Sequence, residues 1–350
     1  MITRIFTPIL IALSVLAGTH FNTVDAPNPE TPLRNEQIAA DLAKNLKASL
    51  AESIPWIVKP KTANLPEIPP QKLPEAENIP FPDLKIRAGL SASQEGRIFY
   101  QKDAENQFPV ASLTKLITAL VVLDNIPAGQ IVTVNKKAVD THGEMGNLVV
   151  NEEISVENLL YIMLVDSSND AAVALAEAAL QCRPEGSPAG GIEGPRAATA
   201  NYKTCDLAAF AALMNKKARE IGLINSRFID PAGLDSGNVS TASDLFLLSR
   251  ESLRRQLIKK IINTKEIDVF SSDGKIAHHL MSTNKLFGKI NGVAGGKTGY
   301  TEEAGECMIL VVDSPQNNSY FISIVLGTEI GMRFIEMEKL VRWTKYTYGW

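Results

Sequence analysis

The order of strand-like and helix-like segments constrains the fold of this chain more than any other feature. From about residue 84, two segments with strand composition, LKIRAGL and RIFY, flank the turn SASQEG. Helical apolar periodicity then fills the middle of the chain. Strand patterns return from about residue 267 with IDVF and KIAHHL, and the turn DSPQNNS predicts an antiparallel hairpin between the last two strands, CMILVV and YFISIVLG. A last helix covers residues 332–348. Strands that are segregated from helices predict an α+β fold. We expect an antiparallel sheet, shared by the first and last strands, with flanking helices and a separate helical lobe.

The first 82 residues lack the composition of a folded core. MITRIFTPILIALSVLAG combines one early cation with an apolar stretch that is shorter than the roughly 20 residues of a membrane span. This pattern predicts that residues 1–25 are an export signal or an N-terminal membrane anchor. Recurrent prolines in residues 26–82 predict an extended spacer. We therefore expect a folded domain at 83–350 that works in the periplasm, at the outer face of the cytoplasmic membrane or in the cell wall.

Charge, cysteines and histidines exclude several classes of function. The formal net charge of −4 argues against nucleic acid as a partner. Cys182 and Cys205 flank a Gly/Pro-rich insertion and could form a disulfide after export, whereas Cys307 lies in an apolar strand pattern and is expected to be a buried free thiol. No H-E-x-x-H spacing exists, so we predict no metal and no cofactor. His278 and His279 should point to opposite faces of a strand and are expected at the surface or in a hairpin.

Two short polar motifs interrupt apolar helical segments. In VASLTKLIT, Ser112 and Lys115 are three positions apart and share one face of a helix that is apolar nearly all round. Burial lowers the pKa of a lysine, so Lys115 could take the proton of Ser112 and make it a nucleophile. Alternatively, Ser112 caps the helix and Lys115 reaches solvent. Ser167-Ser168-Asn169, between two helices, could act as a hydroxyl relay with a positioning amide, or simply as a helix cap.

A third motif, Lys297-Thr298-Gly299, lies in GGKTGYTEEAG. A cation and a hydroxyl beside a glycine on an edge strand could bind a carboxylate and let a peptide backbone approach. The motif is not the phosphate loop G-x-x-x-x-G-K-[ST], because Asn291 occupies the place of the first glycine and strand pattern follows Gly299. Nucleotide hydrolysis is therefore disfavoured.

S-x-x-K, S-x-N and K-T-G in this order are the motif set of class A β-lactamases and penicillin-binding proteins. From about residue 84 onward, the chain resembles the serine-type D-alanyl-D-alanine carboxypeptidases of peptidase family S11, which are low-molecular-mass penicillin-binding proteins. The stretches that carry the resemblance are PVASLTKLITAL, LVDSSNDAAVALAE, FIDPAGLD, NVSTASDL and GGKTGYTEEAG. It implies a β-lactamase/transpeptidase-like fold, a peptidoglycan stem peptide as substrate, and β-lactam antibiotics as covalent inhibitors.

The resemblance implies a catalytic role for each residue of the first two motifs. Ser112 would attack the carbonyl of the D-Ala-D-Ala bond and form an acyl-enzyme, with Lys115 as its base. Ser167 would pass a proton toward the leaving amine, and Asn169 would position the substrate and Lys115. Lys297 would help to keep Lys115 neutral through the repulsion of like charges.

The third motif would bind substrate. Lys297 and Thr298, beside Gly299, would bind the terminal carboxylate of the stem peptide. The backbone N–H groups of Ser112 and Tyr300 would form the oxyanion hole, which stabilises the charge that develops in the transition state.

Departures from the family pattern keep alternatives open. Thr328 and Glu329 stand where some relatives have a carboxylate-binding arginine, and Arg333 cannot be placed from the sequence, so DD-endopeptidase action on cross-links remains the alternative to DD-carboxypeptidase action. The extra β domain and C-terminal anchor of many relatives are not recognised after Lys297, so membrane attachment is expected only through the N-terminus. A class A-like β-lactamase is disfavoured because no E-x-x-L-N segment separates the second and third motifs. A non-catalytic peptidoglycan-binding scaffold is disfavoured because all six key side chains of the three motifs are present: Ser112, Lys115, Ser167, Asn169, Lys297 and Thr298.

Overall fold

A computed structural model describes residues 72–73, 79–141, 147–181, 206–314 and 319–350, which all belong to one unit, Ala63–Trp350. The strands are β1 (Ala88–Ser93), β2 (Ile98–Lys102), β3 (Phe108–Pro109), β4 (Ile131–Thr133), β5 (Glu153–Ser155), β6 (Val239–Ser240), β7 (Glu266–Phe270), β8 (Ala277–Met281), β9 (Val293–Thr301), β10 (Gly305–Asp313) and β11 (Tyr320–Thr328). The helices are α1 (Lys115–Asn125), α2 (Lys136–Val139), α3 (Val156–Val165), α4 (Asn169–Ala179), α5 (Leu207–Glu220), α6 (Ala242–Arg254), α7 (Gln256–Ile262) and α8 (Arg333–Tyr348). A 3₁₀ turn, Ala111–Thr114, leads into α1. The predicted α+β order is confirmed.

Both ends of the domain contribute to one five-stranded sheet. Its strand order is β2-β1-β11-β10-β9, and every neighbouring pair is antiparallel. The predicted pairing of the first and last strands is confirmed by a register from Ala88 opposite Leu326 to Ser93 opposite Phe321. The predicted hairpin between the last two strands is β10–β11. β9, which contains the third motif, is left at the edge of the sheet.

Alternating side chains send the two faces of the sheet into two apolar clusters. On one face, Met308, Leu310 and Val325 pack against α8, where Trp343 joins a group of aromatic rings. On the other face, Ile309 belongs to the cluster that includes the buried sides of α1, α3, α4 and α6. Trp343 belongs to the first of these clusters and Tyr348 and Trp350 pack against it, whereas Tyr346 is 62% exposed. The helical lobe thus lies on the side of β9 toward which Lys297, opposite Ile309, also points.

The end of the Pro-rich segment contacts the domain. The indole nitrogen of Trp343 donates a hydrogen bond to the carbonyl of Pro80 over 2.9 Å, and the ring of Phe81 lies 5.3 Å from that of Trp343. The backbone N–H of Leu73 donates to the carbonyl of Thr347 over 2.9 Å. These contacts attach residues 72–73 and 79–82 to the outer face of α8.

The predicted strands IDVF and KIAHHL form a separate hairpin, β7–β8. His278 and His279 lie in this hairpin on opposite faces, as expected. His279 is exposed, with its Nδ1 2.7 Å from Asp268, whereas His278 is buried and its Nε2 lies 2.7 Å from the Oε1 atom of Glu152. The buried pair joins the hairpin to the segment before β5.

Several predictions fall outside the described residues. These are the export signal or anchor at 1–25, most of the spacer, and the pairing of Cys182 with Cys205. Cys307, by contrast, is a free and fully buried thiol, as predicted. Within the described ranges, no helix has the length and apolarity needed to cross a bilayer.

Candidate active site

The first motif places a lysine inside the apolar lobe. Lys115 begins α1 and is 0% exposed, among buried residues that run from Leu116 to Val122 along the same helix. Its Nζ atom lies 2.8 Å from the Oγ atom of Ser112. Ala111, just before that serine, has a φ of 47°, in the left-handed region that a residue with a Cβ rarely adopts. The predicted burial of Lys115 beside Ser112 is confirmed, and the alternative in which it reaches solvent is wrong.

The amine of Lys115 has three hydrogen-bond partners. Besides Ser112, it contacts the Oδ1 atom of Asn169 over 2.8 Å and the backbone carbonyl of Ala232 over 2.7 Å. Burial lowers the pKa of Lys115 to about 7, although the negative charge of Asp230 acts in the opposite direction. The neutral amine keeps two N–H groups and gains a lone pair. Carbonyl oxygens can only accept, so the lone pair is left for Ser112, the one partner that can donate.

In the second motif, Ser168 supports a helix, whereas Ser167 and Asn169 contact the two buried lysines. The Oγ atom of Ser168 accepts the backbone N–H of Ala171 over 3.1 Å and caps α4, so the helix-cap interpretation holds for this residue. Ser167 instead has a φ of 67°, and its Oγ atom accepts a hydrogen bond of 2.7 Å from the Nζ atom of Lys297. The left-handed turn at Ser167 thus connects the helical lobe to β9, while Asn169 holds Lys115.

Lys297 is the second buried cation of the site. It is 1% exposed and donates to Ser167 and, over 2.9 Å, to the carbonyl of Thr298. Its pKa lies well below the ordinary value because of burial, and then because of the positive charges of Lys115 and Arg333. The lowered pKa of Lys115, by contrast, is caused by burial, and Lys297 is not among its causes. The expected role of Lys297 in keeping Lys115 neutral therefore stays a prediction.

Gly299 brings β9 against the turn that holds Ser112. A Cβ atom at this position would lie 3.0 Å from the carbonyl oxygen of Val110 and 3.1 Å from the backbone nitrogen of Ser112. A side chain would therefore press on the Ser112 amide. Tyr300 follows, with a side chain that is 44% exposed. The two backbone N–H groups proposed for the oxyanion hole, those of Ser112 and Tyr300, therefore belong to two segments that contact each other at Gly299.

Arg333, which the sequence could not place, reaches the same strand. It begins α8, and its Nη1 atom donates to the carbonyl of Gly299 over 2.8 Å. Its Nη2 atom pairs with the Oε1 atom of Glu306 over 2.6 Å. Thr328 and Glu329, where the family pattern suggests a carboxylate-binding arginine, lie shortly before Arg333 in the sequence. Thr298 makes a further contact, a 2.6 Å hydrogen bond to the hydroxyl of Thr283.

Sequence reasoning missed the loop that supplies the third partner of Lys115. Ala232 belongs to FIDPAGLD, a stretch that carries the family resemblance but contains no motif residue. Its contribution is a backbone carbonyl, which any residue type provides. Across the described part of the chain, no group of three or more His, Cys, Asp or Glu side chains is arranged to hold a metal ion.

Comparisons with known proteins agree with this geometry. The family model for the D-alanyl-D-alanine carboxypeptidases, peptidase family S11, matches residues 87–180 and 195–329. D-alanyl-D-alanine carboxypeptidase DacF of Bacillus subtilis is 31% identical over 246 residues, which cover 69% of this chain and 56% of that protein. A D-alanyl-D-alanine endopeptidase of Pseudomonas aeruginosa is 31% identical over 240 residues, which cover 64% of this chain and 70% of that protein.

A solved structure extends the comparison to the fold. The Streptomyces K15 DD-transpeptidase superposes with a TM-score of 0.63 at 26% identity, over 75% of this chain and 98% of that one. The β-lactamase/transpeptidase-like fold is thereby confirmed. Since the family model covers most of the catalytic-motif region, from Ser112 to the edge strand β9, the chain belongs to the D-alanyl-D-alanine carboxypeptidase family, S11.

Proposed function

We propose that this protein is a serine DD-peptidase that hydrolyses the D-Ala-D-Ala bond of peptidoglycan stem peptides through an acyl-enzyme on Ser112. The observation that carries the proposal is the 2.8 Å contact between Ser112 and a fully buried Lys115. With a pKa of about 7, this lysine is half neutral near neutral pH, and its lone pair faces the hydroxyl that it has to deprotonate.

Acylation would use all three motifs. The Oγ atom of Ser112 attacks the carbonyl carbon of the penultimate D-alanine while Lys115 takes the hydroxyl proton. The N–H groups of Ser112 and Tyr300 stabilise the oxyanion. The intermediate collapses as the C–N bond breaks, and Ser167, which contacts Lys297, passes its hydroxyl proton to the departing D-alanine amine. The proton that Lys115 took from Ser112 then restores the hydroxyl of Ser167, so that Lys115 is neutral again before deacylation. Asn169 meanwhile holds Lys115 through its Oδ1 atom.

Deacylation would reverse the proton path. A water molecule attacks the ester carbonyl and gives a proton to Lys115. The ester C–O bond then breaks, and the Oγ atom of Ser112 recovers a proton from Lys115. The enzyme returns to its starting state with the tetrapeptide released. Penicillin would form the same ester, and its slower hydrolysis would make it an inhibitor.

The carboxylate of the substrate would bind beside Lys297 and Thr298 on the edge strand β9. Thr298 offers a hydroxyl there, next to Lys297 and Gly299. Arg333 adds positive charge behind the strand, although its guanidinium is already engaged by Glu306 and by the Gly299 carbonyl. We therefore assign direct carboxylate binding to Lys297 and Thr298, and a supporting role to Arg333.

The second candidate is DD-endopeptidase action on cross-links. Relatives of similar identity, 31%, are named as a carboxypeptidase and as an endopeptidase. DD-carboxypeptidase action is the favoured reading. Purified protein should be incubated with a defined pentapeptide muropeptide and with a cross-linked dimer, and the products separated by mass. Release of D-alanine from the pentapeptide alone supports carboxypeptidase action, whereas cleavage of the dimer alone supports the endopeptidase.

The family also suggests where the protein works. Its substrate lies outside the cytoplasm, which agrees with the export signal or anchor expected at residues 1–25 and with a spacer at 26–82. We propose that the catalytic domain acts in the periplasm or at the outer face of the cytoplasmic membrane, with any membrane attachment through the N-terminus. No role for nucleic acid or a cofactor is part of this proposal.

Labelling with a fluorescent penicillin tests the mechanism. The label should map to the peptide that contains Ser112 and should be absent from Ser112→Ala. Ser243→Ala is the matched control, since this serine contacts Glu105 and lies outside the three motifs. Lys115→Met, which keeps the volume but removes the amine, should acylate at least about 100-fold more slowly. A label on another residue, or an undiminished rate in Lys115→Met, would refute the proposal.

A further inference from the structure

The loop that follows Phe228 is organised by a single carboxylate. Asp230 accepts five hydrogen bonds from within its own loop. They come from the backbone N–H groups of Ala232 (2.7 Å), Gly233 (2.7 Å), Leu234 (3.3 Å) and Asp235 (2.8 Å), and from the side-chain amide of Asn238 (2.5 Å). Both carboxylate oxygens are used. Since one side chain accepts from four consecutive backbone N–H groups, the backbone path of this loop depends on Asp230.

The organised loop meets the nucleophile segment at three points. The carbonyl of Ala232 accepts from Lys115 over 2.7 Å, and the carbonyl of Pro231 accepts from the hydroxyl of Thr118 over 2.7 Å. Gly233, with a φ of 84°, passes so close to Ala111 that a Cβ atom would lie 2.0 Å from the Ala111 carbonyl oxygen. The loop is therefore a wall of the active site.

We propose that Asp230 is a positioning residue for Lys115. By fixing the loop, it keeps the Ala232 carbonyl on the amine, so that one N–H is committed there and the lone pair remains on the side of Ser112. Without that acceptor, the amine could rotate an N–H toward Ser112, which would then accept instead of donating its proton. The inference rests on the proposed function, since it assumes that Lys115 is the base.

Asp230 also acts on Lys115 through its charge. Two charged groups face the amine from different elements, the carboxylate of Asp230 from the loop and the ammonium of Lys297 from β9. The negative charge of Asp230 raises the pKa of Lys115 against the effect of burial. Removal of this charge should therefore lower the pKa of Lys115. The rise of the acylation rate with pH, which is the acid limb of the profile, should then move to lower pH. Loss of the positioned carbonyl should lower the maximal rate, which is the plateau of the same profile.

Asp230→Asn and Asp235→Asn form a matched pair. Both remove one negative charge from the same loop, but Asp235 accepts only from Gly237 through its side chain, over 2.7 Å. The second-order rate of acylation by a fluorescent penicillin should be measured from pH 5 to 9, together with thermal unfolding. We expect Asp230→Asn to lower the plateau by about 10-fold or more, and to shift the acid limb to lower pH. Asp235→Asn should keep both.

Thr118→Val provides a second test that leaves the charge in place. It removes the hydrogen bond to Pro231 and should lower the plateau without moving the limb. It decides the question if Asp230→Asn does not fold. The proposal is overturned if folded Asp230→Asn matches Asp235→Asn in plateau and limb, or if Thr118→Val acylates like the wild type. A wild-type protein that is not labelled at Ser112 would instead refute the proposed function.

Discussion

The rate of acylation by penicillin should rise with pH and show an inflection near pH 7. A change of pH therefore tests the role of Lys115 without any mutation. Burial lowers the pKa of Lys115 from 10.5 to about 7. Only the neutral amine can take the proton of Ser112, so the rate should follow the neutral fraction. That fraction is about one tenth at pH 6 and about nine tenths at pH 8, which predicts a rate ratio of about 10. A lysine with an ordinary pKa would keep rising far above pH 9.

The assay is the second-order rate of labelling by a fluorescent penicillin at constant ionic strength, from pH 5.5 to 9.5. Circular dichroism at each pH verifies that the protein stays folded. Lys115→Arg serves as the reference for a cation that cannot deprotonate in this range. It should label at least about 100-fold more slowly than the wild type, with no inflection near pH 7.

Other groups with a shifted pKa, besides Lys297 in the site itself, have to be separated from Lys115. Burial raises the pKa of Asp170, beside Asn169, to about 6, and a hydrogen bond to Asp268 raises the pKa of the exposed His279. Asp170→Asn and His279→Gln should therefore keep the inflection near pH 7. Its loss in either variant, or a wild-type rate that does not change between pH 6 and 8, would refute the assignment to Lys115.

Three further predictions concern the surroundings of the site. Gly299→Ala should slow acylation by about 10-fold or more, because its methyl group would lie 3.1 Å from the Ser112 nitrogen, whereas Gly129→Ala, with nothing within 4 Å, should not. His278→Ala should lower the free energy of unfolding in urea by about 1 to 3 kcal/mol, since it leaves the Oε1 atom of the buried Glu152 carboxylate without its partner while the backbone N–H of Val149 still contacts the other oxygen, and adding Glu152→Gln should recover part of the loss. Cys307, which is fully buried and has a pKa raised to about 11, should react with a thiol reagent only after unfolding, as mapped by mass spectrometry.

The sequence predicted those parts of the fold and site that depend on local patterns. Two apolar segments, CMILVV and YFISIVLG, separated by the turn DSPQNNS, indicated the β10–β11 hairpin. The spacing of Ser112 and Lys115 indicated one helix face, and the apolar residues around them indicated burial. The pairing of the first and last strands followed from segregation of strands and helices. In each case the information lies within a few residues or in the element order.

The remaining parts depend on how distant elements pack. Arg333 contacts Gly299, 34 residues earlier, only because α8 begins beside the edge strand. Glu152 and His278 are 126 residues apart, and nothing in either segment indicates the other. Ala232 contributes a carbonyl, so its residue type carries no signal. Its loop was nonetheless marked indirectly, by an aspartate that can accept several backbone N–H groups and a glycine that tolerates a positive φ.

The burial that would make Lys115 a base also opposes folding. Its pKa is lower in the folded protein than in the unfolded chain, so the unfolded chain binds the proton more tightly. The opposition is complete below about pH 7 and disappears as the pH rises toward 10.5, and a shift from 10.5 to about 7 corresponds to about 5 kcal/mol. Removal of the amine would relieve it, but would leave the Asn169 and Ala232 carbonyl oxygens without this donor. The two contacts that direct the lone pair to Ser112 are therefore also those that make the burial of this lysine tolerable.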